Sequence, residues 1–387
     1  MDIISLDNQY IANTYSRLPV AFVSGKGSLL KDADGKEYID LGSGIAVSTF
    51  GIADDCWTAA VTEQLSKLQH VSNYYYTEPQ SKLAELLCTK TGMKKVFFGN
   101  SGAEANECAI KTARKYGNSV LGQEAPVIIT LKNSFHGRTV TTLSATGQDV
   151  FHKDFGPFTE GFVYAEANNR DDIVALCENN TCCAVMMELI QGEGGVLMLD
   201  KDYVKFVSDY CKEHDMLLVI DEVQTGNGRT GSLYCFMEYG IQPDIFTTAK
   251  ALGGGLPIGA AVLGEKVENI LTAGDHGSTF GGNPVCAAGA YNVISRLDDD
   301  MMKSVKAKSE YIISELKDAK NVESISGMGL MLGIKTTKDA KAVLKECLAN
   351  GVLVLTAKDK VRLLPALNID DALLKKAISV LKAVIEA

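Results

Sequence analysis

Two ionisable residues of opposite sign each close a short apolar run: Lys250 in DIFTTAKALGGGLPIGAA (Asp244–Ala261) and Asp221 in MLLVIDEV (216–223). A lysine at the end of a buried strand loses hydration, which lowers its pKa toward neutrality and makes its amine a usable nucleophile. A buried carboxylate needs a cationic partner, and a protonated ring nitrogen would serve. A third segment, FFGNSGAEANECAIKTARKYG, puts Asn100, Ser101, Gly102 and Ala103 where the strand-like KVFF meets a strongly helical stretch. A helix N-terminus offers unpaired N–H groups and the positive end of the dipole, and Gly102 lets an anion approach the backbone. Read alone, Ser101 is equally well a plain N-cap, and Asp221 could simply cap a turn. Taken in this order, the amine, the acid and the helix N-terminus are the trio that pyridoxal 5′-phosphate requires, for its aldehyde, its ring nitrogen and its phosphate.

For the three to meet, the strands that carry them must end at one edge of a sheet. From about Asp54, helical periodicity in DCWTAAVTEQLSKLQH and PQSKLAELLCTKTG alternates with short apolar runs at 95–98, 127–131, 182–189, 216–223 and 244–249. Near-continuous apolar strands alternating with helices predict an α/β fold, with a mainly parallel central sheet covered on both faces. Ligands of open α/β sheets bind outside the carboxyl ends of the strands, where Asp221 and Lys250 are expected. Earlier, GSLLKDADGKEYIDLGSG reads as a hairpin around Asp34-Gly35. Beyond about Asn283 the chain turns to long helices such as MMKSVKAKSEYIISELKDAK and short strands such as GLMLGIK and GVLVL. The expected division is an N-terminal arm, residues 1–53; a large domain, 54–282; and a smaller α+β domain, 283–387, to which the arm contributes.

Composition narrows the function. With 46% hydrophobic and 22% charged residues, the 387-residue chain is expected to fold throughout. Its net charge of −10 and lack of a dense basic run argue against a nucleic-acid partner. Ten scattered cysteines, several on predicted helices (Cys108, Cys177, Cys211), read as free thiols of a cytoplasmic protein; no Cys-x-x-Cys pair frames a metal site. The N-terminus lacks a basic, apolar leader pattern, and no run of about 18 apolar residues suggests a membrane span.

Other features carry less. Gly226, Gly228 and Gly231 match G-x-G-x-x-G, but Arg229 and Thr230 continue a turn-rich stretch where a dinucleotide site needs a helix. His136 reads as a positioned loop residue, since no second ligand stands beside it at metal spacing. The three tyrosines of SNYYYTEP read first as packing residues with polar tips.

The segments FGNSGAEANECAIKTAR, FHGRT, ELIQGEGGV, IDEVQTGNGRTG, AKALGGGLPIGA, GSTFGGNP and VRLLPAL together resemble the class III pyridoxal-phosphate aminotransferases, of fold type I. The likeness runs from about Asn13 to the C-terminus. The compact length and the opening NTYSRLPV are most similar to the acetylornithine branch of that family.

The resemblance implies a residue for each task. Lys250 would form the Schiff base with the cofactor and shuttle the proton, Asp221 would hold the pyridine nitrogen protonated, and Gln224 would bond the phenolic oxygen. Phe135 would stack on the ring; Ser101, Gly102, Ala103, Glu222 and Val223 would complete the cofactor's surroundings. Thr279 would reach the phosphate from a partner subunit, so that a homodimer shares its active sites. Arg138, Ser278, Tyr15 and Arg362 would hold substrate, with Glu193 pairing Arg362 when no dicarboxylate is present. The Tyr74–Tyr76 cluster would line the substrate pocket. The implied reaction moves an amine from N2-acetyl-L-ornithine to 2-oxoglutarate; succinyl-diaminopimelate, ornithine and 4-aminobutyrate are the alternative donors. Leu189 stands where the family usually has proline after the glutamate of E-x-I-Q-G-E-G-G, which alters strand-end rigidity without touching a ligand role. A non-catalytic binding protein on this fold would have lost Lys250, Asp221 or the phosphate turn. An aminomutase or decarboxylase would need no paired arginines such as Arg138 and Arg362.

Overall fold

The computed structural model describes residues 2–387. A seven-stranded sheet forms its centre, in the order Lys95–Gly99, Gly259–Leu263, Ile245–Thr248, Leu217–Asp221, Cys182–Met187, Val127–Leu131 and Phe162–Ala165. The last five are mutually parallel, whereas Gly259–Leu263 runs antiparallel to both neighbours. Cys182–Met187 and Leu217–Asp221 are buried at every position, as strands covered on both faces must be, which explains their unbroken apolar sequences.

Register brings the site together. Asp221 pairs with Thr247, so the strand bearing the acid and the strand leading to Lys250 end side by side. Two antiparallel steps restore Lys95–Gly99 to the common direction, and Asn100–Ala103 emerges at the same edge. There the helix Gly102–Ser119 begins, and it packs against the sheet through Ala105, Cys108, Ala109 and Ala113.

Two strands escape the apolar-run criterion. Gly259–Leu263 is mostly glycine and alanine, residues with weak strand preference, and is specified by burial between its neighbours. Phe162–Ala165 is a short edge strand whose first three residues are only partly buried.

A second, antiparallel sheet orders Val322–Met328, Met331–Thr336, Lys360–Leu363 and Leu355–Ala357. A third joins Phe22–Lys26, Leu29–Asp32 and Glu37–Asp40 to the distant Val352–Leu353. The Asp34-Gly35 turn is held by Asp32 Oδ1, which accepts from Asp34 N at 3.0 Å and Lys36 N at 2.9 Å. The change of style at Asn283 falls at the N-cap of the helix Pro284–Ser295, which packs back on the helices Asp55–Lys67 and Glu78–Thr91 beside the central sheet. Among the described residues no helix is long and apolar enough to cross a membrane, and no group of three or more His, Cys, Asp or Glu converges to hold a metal.

Candidate active site

The chain leaves the strand Ile245–Thr248, passes Ala249 in an extended conformation, and enters Lys250 with φ +48°. Left-handed backbone costs a non-glycine residue roughly 1–2 kcal/mol, so this turn is imposed by its surroundings. Burial holds the Lys250 amine below the ordinary lysine range, opposed by the negative charges of Glu193 and then Asp221. No side-chain hydrogen bond or ion pair engages the amine among the described residues, so the backbone aims it.

Asp221 is 3% exposed and forms no ion pair with a lysine or arginine among the described residues. Its Oδ2 accepts from Asn106 Nδ2 at 2.8 Å and lies 2.8 Å from His136 Nδ1, while Oδ1 accepts from Val223 N at 3.0 Å. Thr247 Oγ1 donates to Asn106 Oδ1 at 2.7 Å, which fixes the amide's orientation. His136 is the positioned loop residue that its sequence context suggests, and the position it serves is that of Asp221.

At the start of the helix Gly102–Ser119, the Ser101 hydroxyl accepts from Glu104 N at 3.2 Å, so the N-cap reading holds. Glu104 reaches back to Asn100, accepting from its Nδ2 at 2.8 Å. The N–H groups of Gly102 and Ala103 belong to the first turn and have no partner within the helix. A Cβ on Gly102 would stand 2.7 Å from Val223 Cγ1, so only glycine lets the helix end close against the loop after Asp221.

Lys250, Asp221, Ser101, Gly102, Ala103, Val223 and Gln224 line one cavity of about 450 Å³, together with Phe135, Arg138 and Glu193. At its border Arg362, on the strand Lys360–Leu363, donates from Nη1 to Glu193 Oε1 at 2.7 Å and to Gln224 Oε1 at 3.1 Å. Gly192 permits this crowding, since a Cβ there would meet Gln224 Oε1 at 2.5 Å. Arg138 lies over the ring of Phe151 at 5.1 Å and near that of Phe135 at 5.9 Å, so aromatic faces orient a guanidinium that has no carboxylate partner.

Three of these contributors carried no assigned role in the sequence: Asn106, Phe151 and Glu188. Glu188 bonds Phe135 N at 2.8 Å and Gly192 N at 3.2 Å, bracing two loops of the cavity. Burial pushes its carboxyl up to about 7, with His136 countering and Asp221 adding to the shift. Its place in ELIQGEGG was the only signal available.

Other expected residues stand apart. Glu222 faces away from the cavity, because successive side chains at a strand end point to opposite sides. Its carboxylate instead accepts from Thr225 Oγ1 at 2.5 Å and Phe236 N at 2.7 Å. Ser278 bonds Asn100 Nδ2 through its hydroxyl at 3.1 Å, just outside the lining, and Thr279 is exposed. Tyr15 is exposed on the arm, with Arg17 over its ring at 5.2 Å. Tyr74 and Tyr76 are 93% and 101% exposed, so the expectation of a packed cluster fails within one chain: the rings turn outward.

Comparison with known proteins agrees with this geometry. The family model "Aminotransferase class-III" matches residues 10–385. An acetylornithine aminotransferase of Haemophilus ducreyi is 47% identical over 382 residues, covering 98% of this chain and 97% of that protein. A succinylornithine transaminase of Salmonella agona is 42% identical, covering 94% and 91%. The crystal structure of N-acetylornithine aminotransferase from Stenotrophomonas maltophilia superimposes with a TM-score of 0.84 at 36% identity, covering 99% and 98%. With Lys250, Asp221 and the first turn of the helix Gly102–Ser119 gathered at one sheet edge and the match spanning nearly the whole chain, this protein belongs to the class III aminotransferases, which depend on pyridoxal phosphate.

Proposed function

We propose that the enzyme transfers the distal amine of N2-acetyl-L-ornithine to 2-oxoglutarate, giving N-acetyl-L-glutamate 5-semialdehyde and L-glutamate. The observation that carries this reading is the Arg362–Glu193 pair beside Lys250. A site that takes these two substrates in turn must offer a cation to the α-carboxylate of glutamate, then hide it from the aliphatic end of the donor. An arginine held by an on-chain carboxylate does both.

The residues present fit the family's cofactor. Asp221 is a buried carboxylate whose donors are an amide, an imidazole and a backbone N–H, and a protonated ring nitrogen supplies the cation it lacks. When bound, pyridoxal phosphate supplies an aldehyde that condenses with amines and a protonated ring that draws electrons from the carbon bearing the amine. Asp221 would keep the ring nitrogen's proton in place, and Asn106 and His136 hold Asp221. The first-turn N–H groups of Gly102 and Ala103 would hold the phosphate at the positive end of the helix. Phe135 would cover one face of the ring, and Gln224 would bond its phenolic oxygen. Lys250, whose amine burial holds below the ordinary lysine range, would take the proton off the amine-bearing carbon and pass it to the cofactor's aldehyde-derived carbon on the other side of the nitrogen. Arg138 binds the α-carboxylate of the acetylated donor, at the far end of the cavity from the amine that reacts.

The finer reading is a cytoplasmic homodimer with shared sites. Thr279 and the exposed Phe280, with the outward Tyr74–Tyr76, support it, since they form an apolar, aromatic face that a second copy would cover. In that dimer Thr279 completes the neighbour's phosphate site and Ser278 and Tyr15 reach substrate. Mixed dimers of Lys250→Ala and Thr279→Ala chains carry one intact site and regain activity if the sites are shared; demonstrable mixed dimers without activity refute sharing.

Glutamate formation from 2-oxoglutarate, measured across N-acetylornithine, succinylornithine, ornithine, succinyl-diaminopimelate and 4-aminobutyrate, tests the substrate. The highest kcat/KM is expected for N-acetylornithine. The Salmonella agona relative favours succinylornithine as the second reading, and a preference for unacylated ornithine would overturn the first.

A further inference from the structure

Lys250 sits between two strained segments that share one hydrogen bond. The first is its own turn, entered at φ +48°. The second is Ser43–Ala46, four consecutive residues in the left-handed region, with φ of 47°, 64°, 66° and 61°. Asp40 starts that run by accepting from Gly42 N at 2.7 Å and Ser43 N at 3.0 Å. The run brings Val47 to the cavity wall and then Thr49 beneath the Lys250 turn. There the fully buried Thr49 hydroxyl donates to the carbonyl of Ala251 at 2.7 Å.

We propose that Thr49 is a positioning residue for Lys250: its hydroxyl pins the carbonyl one residue beyond the lysine and so holds the left-handed turn that points the amine into the cavity. This rests on Lys250 being the reacting amine. Strained backbone persists only where its surroundings over-determine it; here the helix Pro284–Ser295 packs on the turn, and Trp57 donates from Nε1 to Gly253 O at 3.1 Å, three residues past the lysine. Ala251 O otherwise accepts only from Gly254 N at 3.2 Å, within the turn itself. On the other side, Asn227 Nδ2 holds the side chain of Thr248 at 2.9 Å and touches Ala249 O at 3.4 Å. Thr49 is therefore the tightest contact that reaches the turn from another part of the chain. Its own backbone is fixed by Leu367 N, which donates to Thr49 O at 2.9 Å, so the hydroxyl cannot drift with the lysine. A buried hydroxyl is tolerated only with a partner, and the shape of valine fits the same space without the donor.

The test compares cofactor-loaded Thr49→Val and Thr49→Ser with the parent. Thr49→Val should lose roughly 10- to 100-fold in kcat while KM for 2-oxoglutarate stays within about twofold, the pattern of a misaimed reacting group in an intact pocket. The pH midpoint of the bound cofactor's visible absorption, which reads the surroundings of the Lys250 nitrogen, should shift in Thr49→Val and return in Thr49→Ser. If Thr49→Val does not fold, Thr49→Ser and Thr49→Ala decide: the hydroxyl-bearing variant must keep, and the other lose, both kcat and the parental midpoint. Parental kcat and midpoint in Thr49→Val or Thr49→Ala would overturn the proposal, as would equal losses in Thr49→Ser and Thr49→Ala. Failure of the underlying reading looks different, because Lys250→Ala would then retain turnover whatever Thr49 does.

Discussion

Arg362 and Glu193 form an ion pair of unequal partners, 2.7 Å apart: 4% of the arginine side chain is exposed, against 31% of the glutamate side chain. Glu193 can swing into solvent with little loss of hydration. Arg362 cannot leave, since Gln224 holds the same nitrogen and its strand is paired on both sides. The moving part of the site is therefore the acid.

Removing that acid leaves a permanent cation facing the donor's aliphatic end. In single-turnover measurements, Glu193→Ala should slow the half-reaction with N-acetylornithine by about tenfold or more and leave the half-reaction with glutamate unchanged or faster. Equal slowing of both halves would mean that Glu193 does not shield Arg362.

In the proposed reading the two arginines divide the carboxylates between them. Arg138→Ala should raise KM for N-acetylornithine by roughly 10- to 100-fold with a small effect on 2-oxoglutarate, and Arg362→Ala should do the reverse. Phe151→Leu should copy Arg138→Ala in milder form, because the ring orients that guanidinium. Identical KM profiles for the two arginine variants would end the division.

Asp221→Asn keeps the shape of the site and loses its charge. The expected result is retained cofactor with kcat down by roughly two orders of magnitude, since a neutral amide no longer favours a protonated ring. His136→Phe should lower kcat less and leave KM near the parent value, as befits a residue that acts through Asp221. An unchanged kcat in Asp221→Asn would reduce Asp221 to a structural role.

Stability should fall as pH rises from 5 to 8. Burial, the first cause in both, holds the carboxyls of Glu188 and Glu222 protonated up to about 7, whereas exposed glutamates ionise near 4.5. Between those values the folded chain binds more protons than the unfolded one, so stability is lost with increasing pH until about 7 and then levels off. His276, lowered chiefly by burial, acts in the opposite sense as pH rises through the histidine range, but it is a single half-buried group. The thermal midpoint of cofactor-free protein should drop by roughly 5 °C across this range. A flat or rising midpoint would show that both carboxyls ionise normally.

The candidate reacting groups were legible because each breaks a local rule in a visible way: Asp221 and Lys250 are charges at the ends of apolar strands, and Ser101-Gly102 opens a helix. The parallel core was legible for the same reason, through runs such as Cys182–Met187. What supports the site was hidden by separation along the chain. His136 meets Asp221 across 85 residues and Thr49 meets Ala251 across 202, and neither pairing leaves a periodic trace. Gly259–Leu263 was missed because its small residues form a strand only under tertiary pressure. The helix Pro284–Ser295 belongs with the helices beside the central sheet by packing, although its sequence style matches that of the C-terminal segment. Tyr74–Tyr76 point outward, and no local pattern separates an aromatic residue that packs inside from one that waits for another surface.

Amine transfer from N-acetylornithine to 2-oxoglutarate by the parent and by Lys250→Ala is the most direct measurement of all. The parent should form glutamate at a kcat of about 1–1,000 s⁻¹, the common range for enzymes. Lys250→Ala, folded and still binding the cofactor through the phosphate turn, should fall by at least about four orders of magnitude, as loss of the group that moves the proton requires. Turnover by Lys250→Ala near the parent's rate, or a parent with bound cofactor that forms no glutamate, would contradict the assignment.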